Sequence, residues 1–137
     1  MKKKIWIIAG AVVLCILIVI NIGMFSRRIN VDQVDKVQFG NNPMSEGFST
    51  EDTAKFIKLF NSARYAGEGT GEGGTPEIQV YVYYRDGSYL IISEFSGKGR
   101  DFEVSLHNAS GNQKDWYYLS SKELDEFVLE MMAKVSN

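Results

Sequence analysis

The sequence has few residues of the kinds that form disulfides, metal sites and catalytic relays. Its 137 residues include one cysteine, Cys15, and one histidine, His107. Cys15 lies within an apolar run, so the rest of the chain has no thiol for a disulfide or a thiolate metal site. One histidine excludes a histidine-rich metal site, and no Gly-x-Ser-x-Gly motif of a serine hydrolase is present. The sequence therefore predicts no catalytic residue, no cofactor and no bound metal.

Positive charge is also scarce beyond the first 28 residues. From Ile29 onward, 10 lysines and arginines stand against 17 aspartates and glutamates, a net charge of −7. A groove that binds nucleic acid needs an excess of positive charge on one surface. We therefore expect no nucleic-acid partner.

One long apolar run is present, over residues 5–25, and it contains no charged residue. A helix of that length is about 30 Å long, which is enough to cross the hydrocarbon core of a bilayer. A secretory signal peptide is the alternative, but its apolar region is usually only about 7–15 residues long and precedes a small-residue cleavage site. Arg27 and Arg28 follow here instead. The sequence predicts a transmembrane helix over about 5–25, in contact with the lipid bilayer.

The charges that flank this run predict its orientation. Lys2, Lys3 and Lys4 precede it, and Arg27 and Arg28 follow it. The flank with more lysines and arginines tends to stay in the cytoplasm, and here three lysines precede the run and two arginines follow it. We therefore expect residues 1–28 to be a cytoplasmic start and a single-pass cell-membrane anchor. Residues 29–137 would then form a soluble extracytoplasmic domain.

The strongest local pattern in that domain is a hairpin over residues 78–95, IQVYVYYRDGSYLIISEF. Asp86-Gly87 is typical of a two-residue type I′ turn, which needs positive φ at both central positions. This register places Tyr81 opposite Ile92, and it places Val80 and Val82 on the other face. The hairpin is predicted to be the centre of a sheet.

The remaining patterns predict an α+β domain in the order β-α-β-β-β-β-α. Residues 34–39, 102–106 and 116–119 have the alternating or aromatic pattern of strands, and two amphipathic helices begin after Ser49 and Ser120. Short connections between successive strands favour antiparallel pairing. We expect an antiparallel sheet of about five strands with two helices packed on one face.

The glycine-rich segment 67–74, GEGTGEGG, contains the bare spacing of a dinucleotide-binding fingerprint. That fingerprint must follow a strand and open a helix, so that the pyrophosphate meets the helix N-terminus. This segment follows a helix and leads to a strand. It is interpreted as a surface loop.

Two sets of side chains are candidates for function. Glu94, Asp101 and Glu103 are carboxylates in one hairpin-turn-strand unit, and paired carboxylates can serve hydrolysis. The aromatic set is the candidate binding patch, because tyrosine and tryptophan combine a large contact area with a polar group. Its members are Tyr81, Tyr83, Ile92, Trp116 and Tyr117. The alternative is that these residues belong to the core or lie beneath the glycine-rich loop or a partner chain.

Four stretches make the chain resemble the small, singly anchored extracytoplasmic domains common in low-GC Gram-positive bacteria. They are the lysine-rich start with its apolar helix, and the segments TEDTAKFIKLFNSARY, VYVYYRDGSYLIISEF and WYYLSSKELDEFVLEM. The resemblance implies a location at the bacterial cell surface. It implies no functional residue, because such domains are mostly of uncharacterised function.

Together these features favour a membrane-tethered, non-enzymatic binding or protein-interaction domain, acting outside the cytoplasm on a protein or a small ligand at the sheet face. Two alternatives remain open. One is a cell-envelope hydrolase that uses carboxylates, and the other is a structural subunit of a membrane complex.

Overall fold

The computed structural model describes residues 2–42, 44–71, 74–97 and 99–136, without the side chains of residues 2, 20–26, 96 and 97. Within these residues the chain has an α+β fold with three α-helices and one antiparallel six-stranded sheet. The elements are α1 (Lys2–Ser26), β1 (Val34–Phe39), α2 (Thr50–Ser62), β2 (Arg64–Glu68), β3 (Gln79–Tyr84), β4 (Tyr89–Gly97), β5 (Arg100–His107), β6 (Gln113–Ser120) and α3 (Lys122–Val135). A one-turn 3-10 helix, Val31–Gln33, precedes β1.

The strands lie in the order β1-β3-β4-β5-β6-β2. The α+β class and the antiparallel sheet are confirmed, but the expected number of strands was one too low. The additional strand is β2, which pairs with β6 at one edge of the sheet. Its sequence, RYAGE, has only one residue with strong strand preference, so its extended conformation depends on pairing with β6.

The core lies between one face of the sheet and helices α2 and α3. Both helices belong to the same buried cluster as the strand residues of this face. From the helices the cluster includes Phe56, Phe60, Leu124 and Phe127, and from the strands it includes Val37, Val80, Val82, Ile92, Phe102, Val104, Tyr117 and Leu119. We call this the core face, and the opposite one the outer face.

The hairpin between β3 and β4 forms, but its register differs by one residue from the predicted one. Tyr83 pairs with Tyr89, and Tyr81 pairs with Ile91. The Gly87 amide donates to the Tyr84 carbonyl at 3.0 Å, and Gly87 has a φ of 88°. The connection is therefore a three-residue loop, a turn followed by a glycine in the left-handed region. Because side chains alternate along a strand, this one-residue change moves Ile92 to the core face.

Helix α1 differs from α2 and α3 because its described side chains are exposed. Trp6, Ile7 and Val19 have between 69% and 78% of their surface accessible. Within the described part of the chain, no helix combines the length and the apolar character needed to cross a membrane. The predicted transmembrane helix over 5–25 extends beyond these side chains, since those of residues 20–26 lie outside the described ones.

The residue that follows α1, Arg27, is held against the edge of the sheet. Its Nε donates to Asp115 Oδ2 at 2.9 Å, and its Nη2 donates to Glu68 Oε1 at 3.1 Å. The guanidinium also lies 4.8 Å from the ring centre of Tyr65 and 4.7 Å from that of Tyr117. We call these five residues the Arg27 clamp.

The next residues continue into the core rather than forming a linker. Ile29 is 3% exposed and belongs to the buried cluster. Its amide donates to Asn61 Oδ1 at 2.8 Å, and its carbonyl accepts from Asn61 Nδ2 at 2.9 Å. The Gln33 carbonyl then accepts from the Arg85 amide at 2.9 Å, which connects this segment to the β3–β4 loop. The chain is thus part of the domain from Arg27 onward.

Candidate functional site

The outer face presents three rows of side chains, which the strand register places across the sheet. The first row is polar, the second is mixed, and the third is largely aromatic. Their members are Gln79, Ser93, Glu103 and Tyr118; then Gln38, Tyr81, Ile91, Ser105 and Trp116; then Lys36, Tyr83, Tyr89 and His107. Neither α2 nor α3 covers this face, because both pack on the core face.

Four rings on this face stack against one another. Tyr89 and His107 are nearly parallel, with ring centres 4.9 Å apart and an interplanar angle of 4°. Tyr81 lies 6.0 Å from Tyr83 and 6.5 Å from Tyr89, with angles of 23° and 20°. We call Tyr81, Tyr83, Tyr89 and His107 the tyrosine stack. Since the ring faces contact each other, the stack offers edges and hydroxyl groups to a ligand.

The hydroxyls of Tyr81 and Tyr83 remain protonated at neutral pH, because the pKa of each is raised. Burial raises the pKa of Tyr81, and the neighbouring hydroxyls of Tyr83 and Tyr89 raise it further. Burial also raises the pKa of Tyr83, with a smaller contribution from Tyr89. Each hydroxyl can therefore both donate and accept a hydrogen bond. Tyr83 and Tyr89 are half-buried, so part of each remains accessible.

His107 is held on both sides of its ring. Its Nδ1 lies 3.2 Å from the Gly111 carbonyl oxygen, and its Nε2 lies 3.0 Å from Ser105 Oγ. Because a carbonyl oxygen can only accept, Nδ1 is the donor, and Nε2 of a neutral ring then accepts from the Ser105 hydroxyl. With both nitrogens engaged and the ring stacked on Tyr89, the arrangement favours a structural role for His107.

A depression lies beside the stack, between β1 and the β3–β4 loop. It has a volume of about 540 Å³. Its lining residues are Asp35, Lys36, Gln38, Tyr83, Tyr84, Arg85 and Gly87. The Lys36 amine donates to the Ser45 carbonyl at 2.6 Å, which holds this side chain along one wall. The depression therefore combines two aromatic rings with charged groups of both signs.

The glycine-rich segment covers another part of the outer face. The Gly69 amide donates to the Trp116 carbonyl at 2.8 Å, and a Cβ at Gly69 would overlap the Trp116 ring. The Thr70 hydroxyl lies 3.2 Å from the Tyr118 hydroxyl. Residues 72 and 73 of the predicted loop lie outside the described residues. Elsewhere on the outer face, Tyr83, Tyr89 and His107 of the tyrosine stack are half-buried, whereas Tyr81 is buried.

The five residues of the predicted binding patch do not share one face. Tyr81, Tyr83 and Trp116 lie on the outer face, with Trp116 under the glycine-rich loop. Ile92 and Tyr117 lie on the core face and are 1% and 2% exposed. Sequence reasoning missed Tyr89, because the two-residue turn placed it on the other face. An Asp-Gly pair also fits a three-residue loop, and that alternative would have placed Tyr89 opposite Tyr83.

The candidate carboxylates are divided between the two faces. Glu94 pairs with Phe102 on the core face, whereas Glu103 pairs with Ser93 on the outer face. Burial raises the pKa of Glu94, and Asp125 and Glu77 raise it further. Glu103 Oε2 is buried without a hydrogen-bond partner among the described residues. The sheet thus separates the two glutamates rather than bringing them together.

Asp101, the third carboxylate, is engaged in capping contacts. Its Oδ2 accepts from the Ser120 hydroxyl at 2.9 Å and from the Ser121 amide at 2.6 Å. No group of three or more histidine, cysteine or acidic side chains that could hold a metal ion occurs within residues 2–42, 44–71, 74–97 and 99–136.

Comparison with known proteins finds no matching family model, no matching curated protein and no matching solved structure.

Proposed function

We propose that this chain is a membrane-anchored, non-enzymatic binding module, and that its ligand surface is the open part of the outer face. The ligand is a protein or a small molecule that contacts the tyrosine stack and the depression beside it. The observation that carries the proposal is the tyrosine stack, in which Tyr83, Tyr89 and His107 are half-buried and Tyr81 is buried, on the sheet face that α2 and α3 leave uncovered. Tyrosines of this kind are enriched at protein interfaces.

The proposed anchor is residues 5–25, and its support is the full sequence, which is uncharged from Ile5 to Phe25. The backbone of this run is helical within α1, and its described large apolar side chains, from Ile5 to Val19, are exposed. The proposal depends on the whole run, since no helix within the described residues meets both conditions for crossing a membrane.

The charges on the two flanks of the run support a cytoplasmic N-terminus and an extracytoplasmic domain. Lys2, Lys3 and Lys4 precede the run, whereas Arg27 and Arg28 follow it. The flank with more lysines and arginines tends to stay in the cytoplasm.

The location is tested by labelling a cysteine in intact cells. Ser110 is exposed in the β5–β6 turn, and Cys15 is replaced by alanine to remove the only native thiol. We expect a Ser110→Cys variant to react with a membrane-impermeant maleimide before lysis. Labelling that occurs only after lysis would overturn the extracytoplasmic location.

The binding face is tested with a photo-crosslinking amino acid placed at single positions of the full chain. Positions Tyr83 and Tyr89 sample the tyrosine stack, and Lys58 and Leu129 sample exposed sites on α2 and α3. We expect discrete crosslinked products from the first pair and none from the second. The same products from both pairs, or none from Tyr83 and Tyr89, would refute the proposed binding face.

A further inference from the structure

The route of the chain between α1 and β1 determines which end of the domain lies next to the anchor. The Arg27 clamp follows α1 directly, and Ile29 is already in the core. The two carboxylates of the clamp lie at the same end of the sheet. Glu68 is at the end of β2, and Asp115 is near the start of β6. We call this the near end, and it also contains the β3–β4 loop and the β5–β6 turn, residues 85–87 and 108–112.

The near end has balanced charge. Arg27 is paired with Glu68 and Asp115. A cavity of about 360 Å³ at this end is lined by Arg28 and Arg85 together with acidic and polar groups. The other lining residues are Asn30, Asp32, Gln33, Tyr84, Asp86, Ser88 and Leu106. Basic groups here are matched by acidic ones, so the near end carries little net charge.

The opposite end of the sheet, which we call the far end, carries a cluster of acidic side chains. Helix α3 starts directly after β6, and Asp125 in its first turn interacts electrostatically with Asp101 at the start of β5 and with Glu126. Glu94, toward the end of β4, interacts in the same way with Asp125 and with Glu77. A surface of anionic phospholipid repels the far end more strongly than the near end.

We infer that the Arg27 clamp seats the near end of the domain on the phospholipid headgroup layer, with Arg28 and Arg85 facing the lipid phosphates. This inference rests on the membrane anchor of the proposed function. No flexible linker separates the anchor from the domain, because the chain is docked from Arg27 onward. The tyrosine stack contains His107 at the end of β5, so it lies in the half of the sheet nearer the lipid.

The inference is tested with the full chain in phosphatidylcholine–phosphatidylglycerol vesicles that contain a lipid with a spin label on its headgroup. A fluorophore is attached either at Ser110→Cys, in the near end, or at Asn41→Cys, just after β1, in a Cys15→Ala background. Strand β5 has eight residues, so about 26 Å separates the two ends of the sheet. We expect the spin label to quench fluorescence at Ser110→Cys and to leave Asn41→Cys unquenched. Equal quenching at both positions would overturn the inference.

Variants of the clamp give a second readout. Arg27→Ala should remove the difference between the two labels, and Arg27→Lys should reduce it, because lysine keeps the charge but loses the planar two-acceptor geometry. Lys58→Ala, on the exposed side of α2, should leave the difference intact. A difference that persists in both Arg27 variants would also refute the inference. Trp116 emission in a Trp6→Phe background reports whether each variant is folded.

The experiment distinguishes failure of the proposed membrane anchor from failure of the inferred position of the near end on the lipid headgroups. If the unlabelled chain does not float with the vesicles, the proposed anchor is wrong, and the inference falls with it. If the chain floats but both labels are quenched alike, the anchor stands and only the seating is wrong.

Discussion

At the scale of single residues, one glycine of the GEGTGEGG segment is explained by an aromatic ring rather than by a phosphate. Gly69 lies on Trp116 so closely that no side chain fits between the loop backbone and the indole. Its amide also donates to the Trp116 carbonyl. The spacing that matches a nucleotide fingerprint therefore includes a glycine that serves to dock the loop on the sheet.

Gly69→Ala should displace the loop from Trp116 and destabilise the domain. We expect a loss of about 1 kcal/mol, at the low end of the range for overpacking, because a surface loop can move away. In a Trp6→Phe background, Trp116 is the only tryptophan, and its fluorescence emission should shift to longer wavelength because the ring becomes more exposed to water. Gly74→Ala is the matched control, since a Cβ there meets nothing within 4 Å. Identical emission and stability in both variants would contradict this account.

At the scale of elements, local sequence signals predicted where helices and strands occur, but they did not predict every capping residue. Strand β1 begins and ends as predicted, and Ser49 caps α2 by accepting from the Asp52 amide at 3.1 Å. The cap of α3 is Ser121, one residue later than the predicted Ser120. The reason is tertiary, since Asp101 from β5 accepts from the Ser120 hydroxyl.

The three-residue loop between β3 and β4 makes a prediction about Gly87. Gly87 has a φ of 88°, and a Cβ there would lie 3.1 Å from the Cβ of Ala109. Gly87→Ala should lower the free energy of unfolding by about 1 kcal/mol or more, because alanine disfavours the left-handed region. Gly87→Asn should cost less, since asparagine tolerates this conformation better. Chemical denaturation of both variants measures the difference, and an alanine variant as stable as wild type would argue against this loop geometry.

At the scale of the whole molecule, electrostatics act in opposite directions at the two ends of the sheet. Near the anchor, a hydrogen bond from Arg27 holds the pKa of Asp115 below its usual value. Toward the far end, burial and neighbouring acids hold the pKa of Glu94 above its usual value. Ionised Asp115 therefore stabilises the fold, whereas ionised Glu94 opposes it.

These opposite shifts predict how stability depends on pH. The contribution of Asp115 is fully present above its unfolded pKa of about 3.9 and is lost as the pH falls through its lower folded pKa. Asp115→Asn should therefore be less stable than wild type at neutral pH, and the gap should narrow in acid. Denaturant unfolding across this pH range measures the gap. A constant gap would show that the Arg27 pairing does not stabilise the fold.

Glu94 should show the reverse dependence. Its folded pKa is raised, so the fold gains stability as the pH falls through that value toward the unfolded pKa of about 4.3. Glu94→Gln should be more stable than wild type at neutral pH and should lack this gain. Glu46→Gln, on an exposed connection, is the control. A Glu94→Gln variant whose stability follows wild type at every pH would refute a raised pKa of Glu94 in the folded protein.

The sequence by itself determined the features that depend on local pattern. The period of apolar residues located α2 and α3, turn residues separated the strands, and the scarcity of cysteine and histidine excluded several kinds of site. The apolar run over 5–25 set the prediction of an anchor, which stays a prediction. These inferences needed only neighbours within a few residues along the chain.

Only the tertiary structure decided the features that depend on distant partners. The edge strand β2 forms by pairing with β6, and the tyrosine stack depends on a register that changes with one residue in a loop. In the sequence, Arg27 is one of the charges that flank the apolar run. In the fold, Glu68 and Asp115, which lie 41 and 88 positions further along the chain, hold it against the sheet. Such contacts join segments whose separation in sequence carries no local signal, and this is why the face that we propose for binding became visible only in the folded chain.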